Sequence, residues 1–321
     1  MTRTATTTAA PAHPPPAVTS GESSASHSPT RWTLALPRGR ALALAAGRPA
    51  VIGVLNLTPD SFSDGGRWFD PADASRAVER GLAMLEEGAE LLDLGAESTR
   101  PGGGVYGGGA REVPAEEELA RLLPVLEALR AATDAPLSVD TRKAAVARAA
   151  LAAGADLVND VSALADPEMG AVVAAGGCPV VLMHSRGEIA TMQRGIRFRD
   201  VVAEVREELA AAVARAEGTG IARGRIVVDP GLGFGKTAEQ NLALLAALPS
   251  LAALGLPVLV GASRKSFLGA VTGEPPDRRL PGSLAAAARA AAGGAALLRV
   301  HDVAETVSFL RVWTAIGEAR S

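Results

Sequence analysis

Residues 51–94 read VIGVLNLTPDSFSDGGRWFDPADASRAVERGLAMLEEGAELLDL and hold one complete strand–helix–strand unit. Val51–Leu55 and Leu91–Leu94 are apolar runs of strand length, and neither alternates cleanly. Strands buried on both faces, as in a parallel sheet covered by helices, have that pattern. Between them Ala74, Ala77, Val78, Gly81, Leu82 and Leu85 recur at the three- and four-residue steps of a helix with one apolar face. Asp70 is the expected N-cap, Pro71 the first helical residue and Gly88 the stop.

The rhythm continues downstream. Leu137–Val139, Leu157–Val158, Val180–Met183, Ile226–Val228, Val258–Val260 and Leu297–Val300 bring the strand-length runs to eight. Eight strands alternating with helices over about 270 residues match an α/β fold, the (β/α)8 or TIM barrel. A doubly wound open sheet is the other arrangement this rhythm allows. Upstream, Thr33–Leu36 and Ala41–Ala45 flank the turn-rich Pro37-Arg38-Gly39-Arg40 and predict an N-terminal hairpin. Residues 1–30 contain almost no Leu, Ile or Val, so burial cannot offset the entropy of ordering them. The expected organisation is a disordered tail over 1–30 and a single barrel over 31–321.

The tail has no apolar signal stretch, and Arg3 is its only basic residue. A cytoplasmic chain is therefore expected. The formal net charge of −3 argues against a general grip on nucleic acid. The most apolar stretch, Leu284 to Leu298, is interrupted by Arg289 and Gly293-Gly294, so no membrane span is expected. The single cysteine, Cys178, excludes an intrachain disulfide and a CxxC metal cage.

In a (β/α)8 barrel the active site lies at the C-terminal ends of the strands. Those ends carry Asn56, Glu97, Asp140, Asn159-Asp160, His184, Asp229, Ser263-Arg264-Lys265-Ser266, and Arg299 with His301. One such residue would be a cap or a turn. A full ring of them points to a small-molecule site. Asp140, Asn159, Asp229 and Lys265 near the axis require a ligand rich in N–H donors, because one lysine cannot satisfy every buried carboxylate. A 2-amino-4-oxo heterocycle such as a pterin offers those donors, and its carbonyl and ring nitrogens offer acceptors to Lys265. Arg100, Arg299 and His301 suit a phosphate or diphosphate. Asn56 offers an oxygen to a hard cation, and Mg2+ needs only one or two protein oxygens when phosphates complete its shell.

Two motifs mislead. Gly102-x-Gly104-x-x-Gly107 matches the dinucleotide fingerprint but follows Arg100-Pro101 inside a glycine-rich loop, with no helix opening on it. Residues 230–237, PGLGFGKT, end like a phosphate-binding loop, yet Pro230 stands where the first glycine belongs. His184 reads as a rim or core histidine rather than a base.

Several segments taken together resemble the dihydropteroate synthase family over nearly all of residues 32–318. They are GVLNLTPDSFSDGG (53–66), DLGAESTRPGG (93–103), SVDTRKA (138–144), NDVSA (159–163), VLMH (181–184), TMQ (191–193), DPGLGFGKT (229–237), LVGASRKSFLG (259–269) and RVHDV (299–303). The resemblance implies a (β/α)8 barrel, usually a homodimer. The implied reaction joins 6-hydroxymethyl-7,8-dihydropterin diphosphate to p-aminobenzoate and releases diphosphate. By position, Asp140, Asn159, Asp229 and Lys265 would hold the pterin, with Met183 against its ring. Asn56 would ligate Mg2+, and Arg100, Arg299 and His301 would contact the diphosphate. Thr99, Pro101, Phe234, Lys265 and Ser266 would surround p-aminobenzoate, and Asp60 and Phe62 would lie on a first mobile loop. Asp140, Lys265, Arg299 and His301 would carry an SN1-like displacement. The chain departs from the family pattern at Gly95-Ala96-Glu97, where Gly-Gly-Glu is common, and in the long glycine-rich loop 102–113. A non-catalytic pterin-binding paralogue and a pterin-dependent methyltransferase are the alternatives.

Overall fold

The strand-length runs form strands that close into a ring. The structure, a computed structural model, describes residues 30–58, 73–98, 112–187 and 191–319. An antiparallel hairpin, β1 (Arg31–Ala35) and β2 (Ala41–Ala45), comes first. Then follow β3 (Ala50–Asn56), β4 (Leu91–Gly95), β5 (Leu137–Asp140), β6 (Leu157–Asp160), β7 (Val180–Met183), β8 (Ile226–Asp229), β9 (Leu259–Val260) and β10 (Leu297–Val300). These eight are parallel and pair in the order β8-β7-β6-β5-β4-β3-β10-β9. A parallel bridge between Val228 and Val258, and a 3.0 Å bond from Val228 N–H to the Pro257 carbonyl, join the two ends. The open-sheet alternative is thereby excluded.

Helices α1 (Ser75–Glu86), α2 (Ala115–Ala132), α3 (Ala144–Ala152), α4 (Met169–Gly176), α5 (Val201–Gly218), α6 (Ala238–Ala246), α7 (Ser266–Thr272), α8 (Leu280–Ala292) and α9 (Val303–Glu318) surround the ring. None of them is long and apolar enough to cross a membrane. The start of α1 differs from the expectation. Its N-cap position is Ala74, not Asp70, and Asp73 accepts from the Ser75 amide at 2.8 Å. An aspartate bonded to the amide two residues on turns the chain into the helix, so the Asp-Pro pair is not needed there. Asp70 and Pro71 themselves lie outside the described residues. Gly88, at φ +104°, ends the helix as expected.

Successive side chains of a strand point to opposite faces. On the outer face Val51, Leu55, Leu92, Leu94, Val139 and Val158 pack against helix residues such as Leu122, Leu126 and Leu129. On the inner face Ile52, Leu91, Leu157, Val181, Val227, Leu259 and Leu297 form a separate cluster with Leu34 and Leu44 of the hairpin. The hairpin therefore plugs the N-terminal end of the barrel. Two residues further along the inner face stand Asp93, Asn159, Met183, Asp229, Gly261 and Arg299. One pleat separates a greasy floor from a polar chamber.

Charge fastens the plug. The Asp156 side chain is fully buried just before β6 and meets Arg38 at 2.5 Å, Arg130 at 3.0 Å and Arg40. It also accepts from the Leu137 amide at 3.0 Å. A buried carboxylate tolerates loss of water only with such donors. Asp156→Ala leaves the three guanidinium groups without their shared anion. Urea unfolding is expected to show a loss of about 3 kcal/mol or more. A loss below about 1 kcal/mol, the range of an exposed pair, would contradict this anchoring.

Candidate active site

The polar chamber is a cleft of about 450 Å3 at the C-terminal end of the ring. Asp140, Asn159, Met183, Asp229, Phe234, Lys265, Arg299 and His301 all line it. Val161, Leu232, Gly261 and Ser263 complete the wall. Asn56 ends β3, opposite Gly95, and Ser266 opens α7. Neither is part of the wall. Asp60, Phe62, Thr99, Arg100 and Pro101 lie outside the described residues, as does the Gly102–Gly107 motif.

The floor is organised by Arg299. Its Nε donates to Asp93 Oδ2 at 2.6 Å and its Nη2 to Asp140 Oδ2 at 2.8 Å. Asn159 Nδ2 also donates to Asp93 Oδ2, at 3.0 Å. The guanidinium expected at the diphosphate is thus first a bridge between two carboxylates, because buried anions need a buried cation. Asp93 is the floor residue that sequence reasoning missed. Its signal was a carboxylate inside the apolar run LLDLG, two residues after the inward Leu91. Asp93 Oδ1 and Asp140 Oδ1 are buried and accept no hydrogen bond among the described residues.

These groups shift one another. Burial pushes Asp140 up to about 7, against the pull of Arg299. It pushes Asp229 up to about 6, against the Gly231 amide, 2.7 Å from Oδ1, and the charge of Lys265. Burial, helped by Arg299, brings Lys265 down to about 8. Its ammonium lies 4.3 Å from the centre of the Phe234 ring. Burial and the positive charges of Arg299, Arg264 and Lys265 take His301 down to about 3. It is therefore a neutral donor at pH 7, not a cation, with Nδ1 3.1 Å from Ser263 Oγ.

The glycine-rich loop after β8 supplies the wall between Asp229 and Phe234. Gly231 has φ +65°, and a Cβ there would fall 1.9 Å from the His184 carbonyl oxygen. Lys236 points into its own loop, consistent with rejecting a phosphate-binding role. Burial brings its ammonium down to about 7, while Asp229 opposes the change. His184 lies between Lys236 and Glu208, at 2.9 Å from each. Burial and Lys236 hold it down at about 4, so it is a neutral rim residue. Cys178 is buried before β7, with its thiol pushed up to about 12. A thiol that remains protonated, at the floor end of a strand, is inert.

No group of three or more His, Cys, Asp or Glu able to hold a metal occurs among the described residues. The chain therefore has no cage of its own there. Asn56 offers one amide oxygen, which fits only a cation such as Mg2+ that brings phosphate ligands with it.

An axial chamber with an unsatisfied carboxylate oxygen on one side and donors on the other is suited to a nitrogen heterocycle. The family model described as "Pterin binding enzyme" matches residues 52–301. A dihydropteroate synthase of Synechocystis is 45% identical over 88% of this chain and 94% of its own. The Xanthomonas albilineans dihydropteroate synthase with 4-aminobenzoic acid superposes at TM-score 0.79, with 50% identity over 90% of this chain and 99% of its own. The Burkholderia cenocepacia enzyme complexed with 7,8-dihydropteroate gives TM-score 0.77 at 46% identity, covering 90% of this chain and 98% of its own. The chain belongs to the dihydropteroate synthase family.

The raised Asp229 makes a prediction for the ligand-free protein. Its folded value of about 6 exceeds the free value of 3.8, so its contribution to stability is full below about 4 and is lost as pH rises through about 6. Asp229→Asn keeps an oxygen for the Gly231 amide and removes the ionisation. Denaturant titrations should find the variant roughly 1–3 kcal/mol more stable than wild type at pH 8 and nearly equal at pH 4. Parallel stability curves across that range would contradict the burial of an ionising Asp229.

Proposed function

We propose that the protein condenses 6-hydroxymethyl-7,8-dihydropterin diphosphate with p-aminobenzoate, forming 7,8-dihydropteroate and diphosphate in folate biosynthesis. The observation that carries this reading is the buried, unsatisfied Asp140 Oδ1 of a carboxylate that lines the cleft together with Lys265 and Asp229. A pterin edge carries an amino group and ring N–H to meet carboxylates, and acceptors to meet an ammonium. Leaving buried acceptors unmatched costs roughly 1–3 kcal/mol each, so a ligand that satisfies them is selected.

In the proposed reaction the C–O bond from the pterin methylene to the diphosphate breaks, and its electron pair stays on oxygen. Positive charge on the methylene spreads into the ring, where the Asp140 carboxylate stabilises it. Arg299 gives one N–H each to Asp93 and Asp140. A guanidinium has five, so donors remain for the leaving group. The neutral His301 adds an N–H. Such fixed dipoles and charges are commonly the largest catalytic contribution. The aryl amine of p-aminobenzoate then bonds to the methylene carbon through its nitrogen lone pair and loses one proton to solvent. Phe234, Lys265 and Ser266, with Thr99 and Pro101, form the proposed p-aminobenzoate surroundings, and Arg100 the further diphosphate contact. Asp60 and Phe62 are assigned to the first loop over the substrates. Mg2+, bound through Asn56 and the substrate phosphates, would supply positive charge against the diphosphate.

We take the assembly to be a homodimer. Val271 of α7 and Val312 and Ile316 of α9 are apolar and more than half exposed, which supplies surface for a second copy. The presence of Lys265, Arg299 and His301 in one chamber favours catalysis over a non-catalytic pterin-binding role.

The test is release of diphosphate from the dihydropterin diphosphate by the folded protein with Mg2+. Release is expected to depend on p-aminobenzoate and to match 7,8-dihydropteroate formed one for one. Folded protein that binds pterin yet makes no dihydropteroate would overturn the catalytic reading.

A further inference from the structure

The loop after β8 is wound around an amine that lines neither wall of the substrate cleft. Lys236 is only 3% exposed. Its Nζ lies 2.9 Å from the Gly231 carbonyl, 2.9 Å from the Phe234 carbonyl and 3.2 Å from the His184 carbonyl. The fourth neighbour is His184 Nδ1, at 2.9 Å. Carbonyls can only accept, so all three must receive their hydrogens from the lysine. An ammonium has three hydrogens and a neutral amine two. The three carbonyls therefore favour the charged form against the burial that lowers it, much as backbone oxygens gather around a bound cation.

The winding has a visible cause. Gly231, Gly233 and Gly235 all have positive φ, which turns loop carbonyls inward that would otherwise face water. Inward carbonyls repel one another and, if unpaired, each costs the full loss of its hydration. The ammonium removes both penalties at once. It also joins two strands, since His184 follows β7 and the remaining partners follow β8. On the far side, the His184 ring bridges the lysine, 2.9 Å from Nδ1, and Glu208 of α5, 2.9 Å from Nε2, and Arg186 holds that glutamate from its other side. Asn241 of α6 and Gln193 hold the outer edge of the loop through the Gly233 amide and carbonyl, at 2.7 and 2.6 Å. The inner edge carries the chemistry. The Gly231 amide fixes Asp229, and Phe234 faces Lys265 across the cleft.

We propose that Lys236 is a positioning residue: its buried ammonium takes the place of a structural cation and winds residues 230–236 into the wall that presents Phe234 and Asp229 to the two substrates. This rests on the two-substrate reaction proposed above. Lys236 itself touches neither reacting group. It acts through the carbonyl of Phe234 and through the Gly231 turn.

The role separates from mere stability by kinetics. Lys236→Met keeps the length and apolar stem and removes every donor. It is expected to raise KM for p-aminobenzoate about tenfold or more, with a smaller change in pterin affinity by calorimetry, because Asp229 is also held by β8. Lys236→Ala leaves room for a three-carbon amine. n-Propylammonium is expected to restore turnover of that variant saturably, while tetramethylammonium at equal ionic strength is not. A folded Met variant with both KM values and kcat within about twofold of wild type would overturn the proposal, even if it melts earlier. Should the Met variant fail to fold, folded Ala variant without amine rescue would overturn it equally. Absence of turnover in the wild-type protein would strike the reaction itself. Normal wild-type turnover with unaltered variant kinetics would strike the role of Lys236 alone.

Discussion

A carboxylate turned toward the axis of a closed barrel has lost its water and must be given donors in return. The rest of the chamber follows from that constraint. Asp93 and Asp140 share Arg299, Asn159 adds a third donor, and Asp229 takes the Gly231 amide. Even so, Asp93 Oδ1 and Asp140 Oδ1 remain without donors among the described residues. A hydrophobic floor would be more stable; a floor of half-satisfied acids waits for a ligand. The raised Asp140 and Asp229 and the lowered Lys265 have the same origin.

The barrel divides stability and chemistry along its axis by a single pleat. Leu91 belongs to the plug, and Asp93, two residues on, belongs to the site. The pairs Val181 and Met183, Val227 and Asp229, and Leu297 and Arg299 repeat the pattern. Below, the hairpin seals the ring through Leu34 and Leu44 and is tied down at Asp156. Loops can then vary above without loosening the floor.

Most of the fold was legible in the sequence because strand and helix periods are local. The eight apolar runs and the hairpin stand where their patterning put them. The start of α1 was misread because an Asp-Pro pair and an Asp73–Ser75 bond are competing local signals, and only the folded chain decides between them. At the site, Asp140, Asn159, Asp229, Lys265, Arg299 and His301 could be read from strand ends, and they share one cleft. Asp93 was overlooked because it sits inside a strand rather than at its end. The double use of Arg299 and the inward turn of Lys236 were not legible, since each depends on partners from distant strands. Ser263 was in view, but its bond to His301 needed β9 and β10 side by side.

Raised by burial, Asp140 and Asp229 are partly protonated near neutral pH, and a pterin whose N–H groups meet them draws them into the ionised form. Calorimetric titration of the protein with a pterin at pH 6.5, in buffers of different ionisation enthalpy, counts the protons exchanged. Net proton release, reduced in Asp229→Asn, is the predicted result. Binding without proton exchange, or with net uptake, would contradict the account.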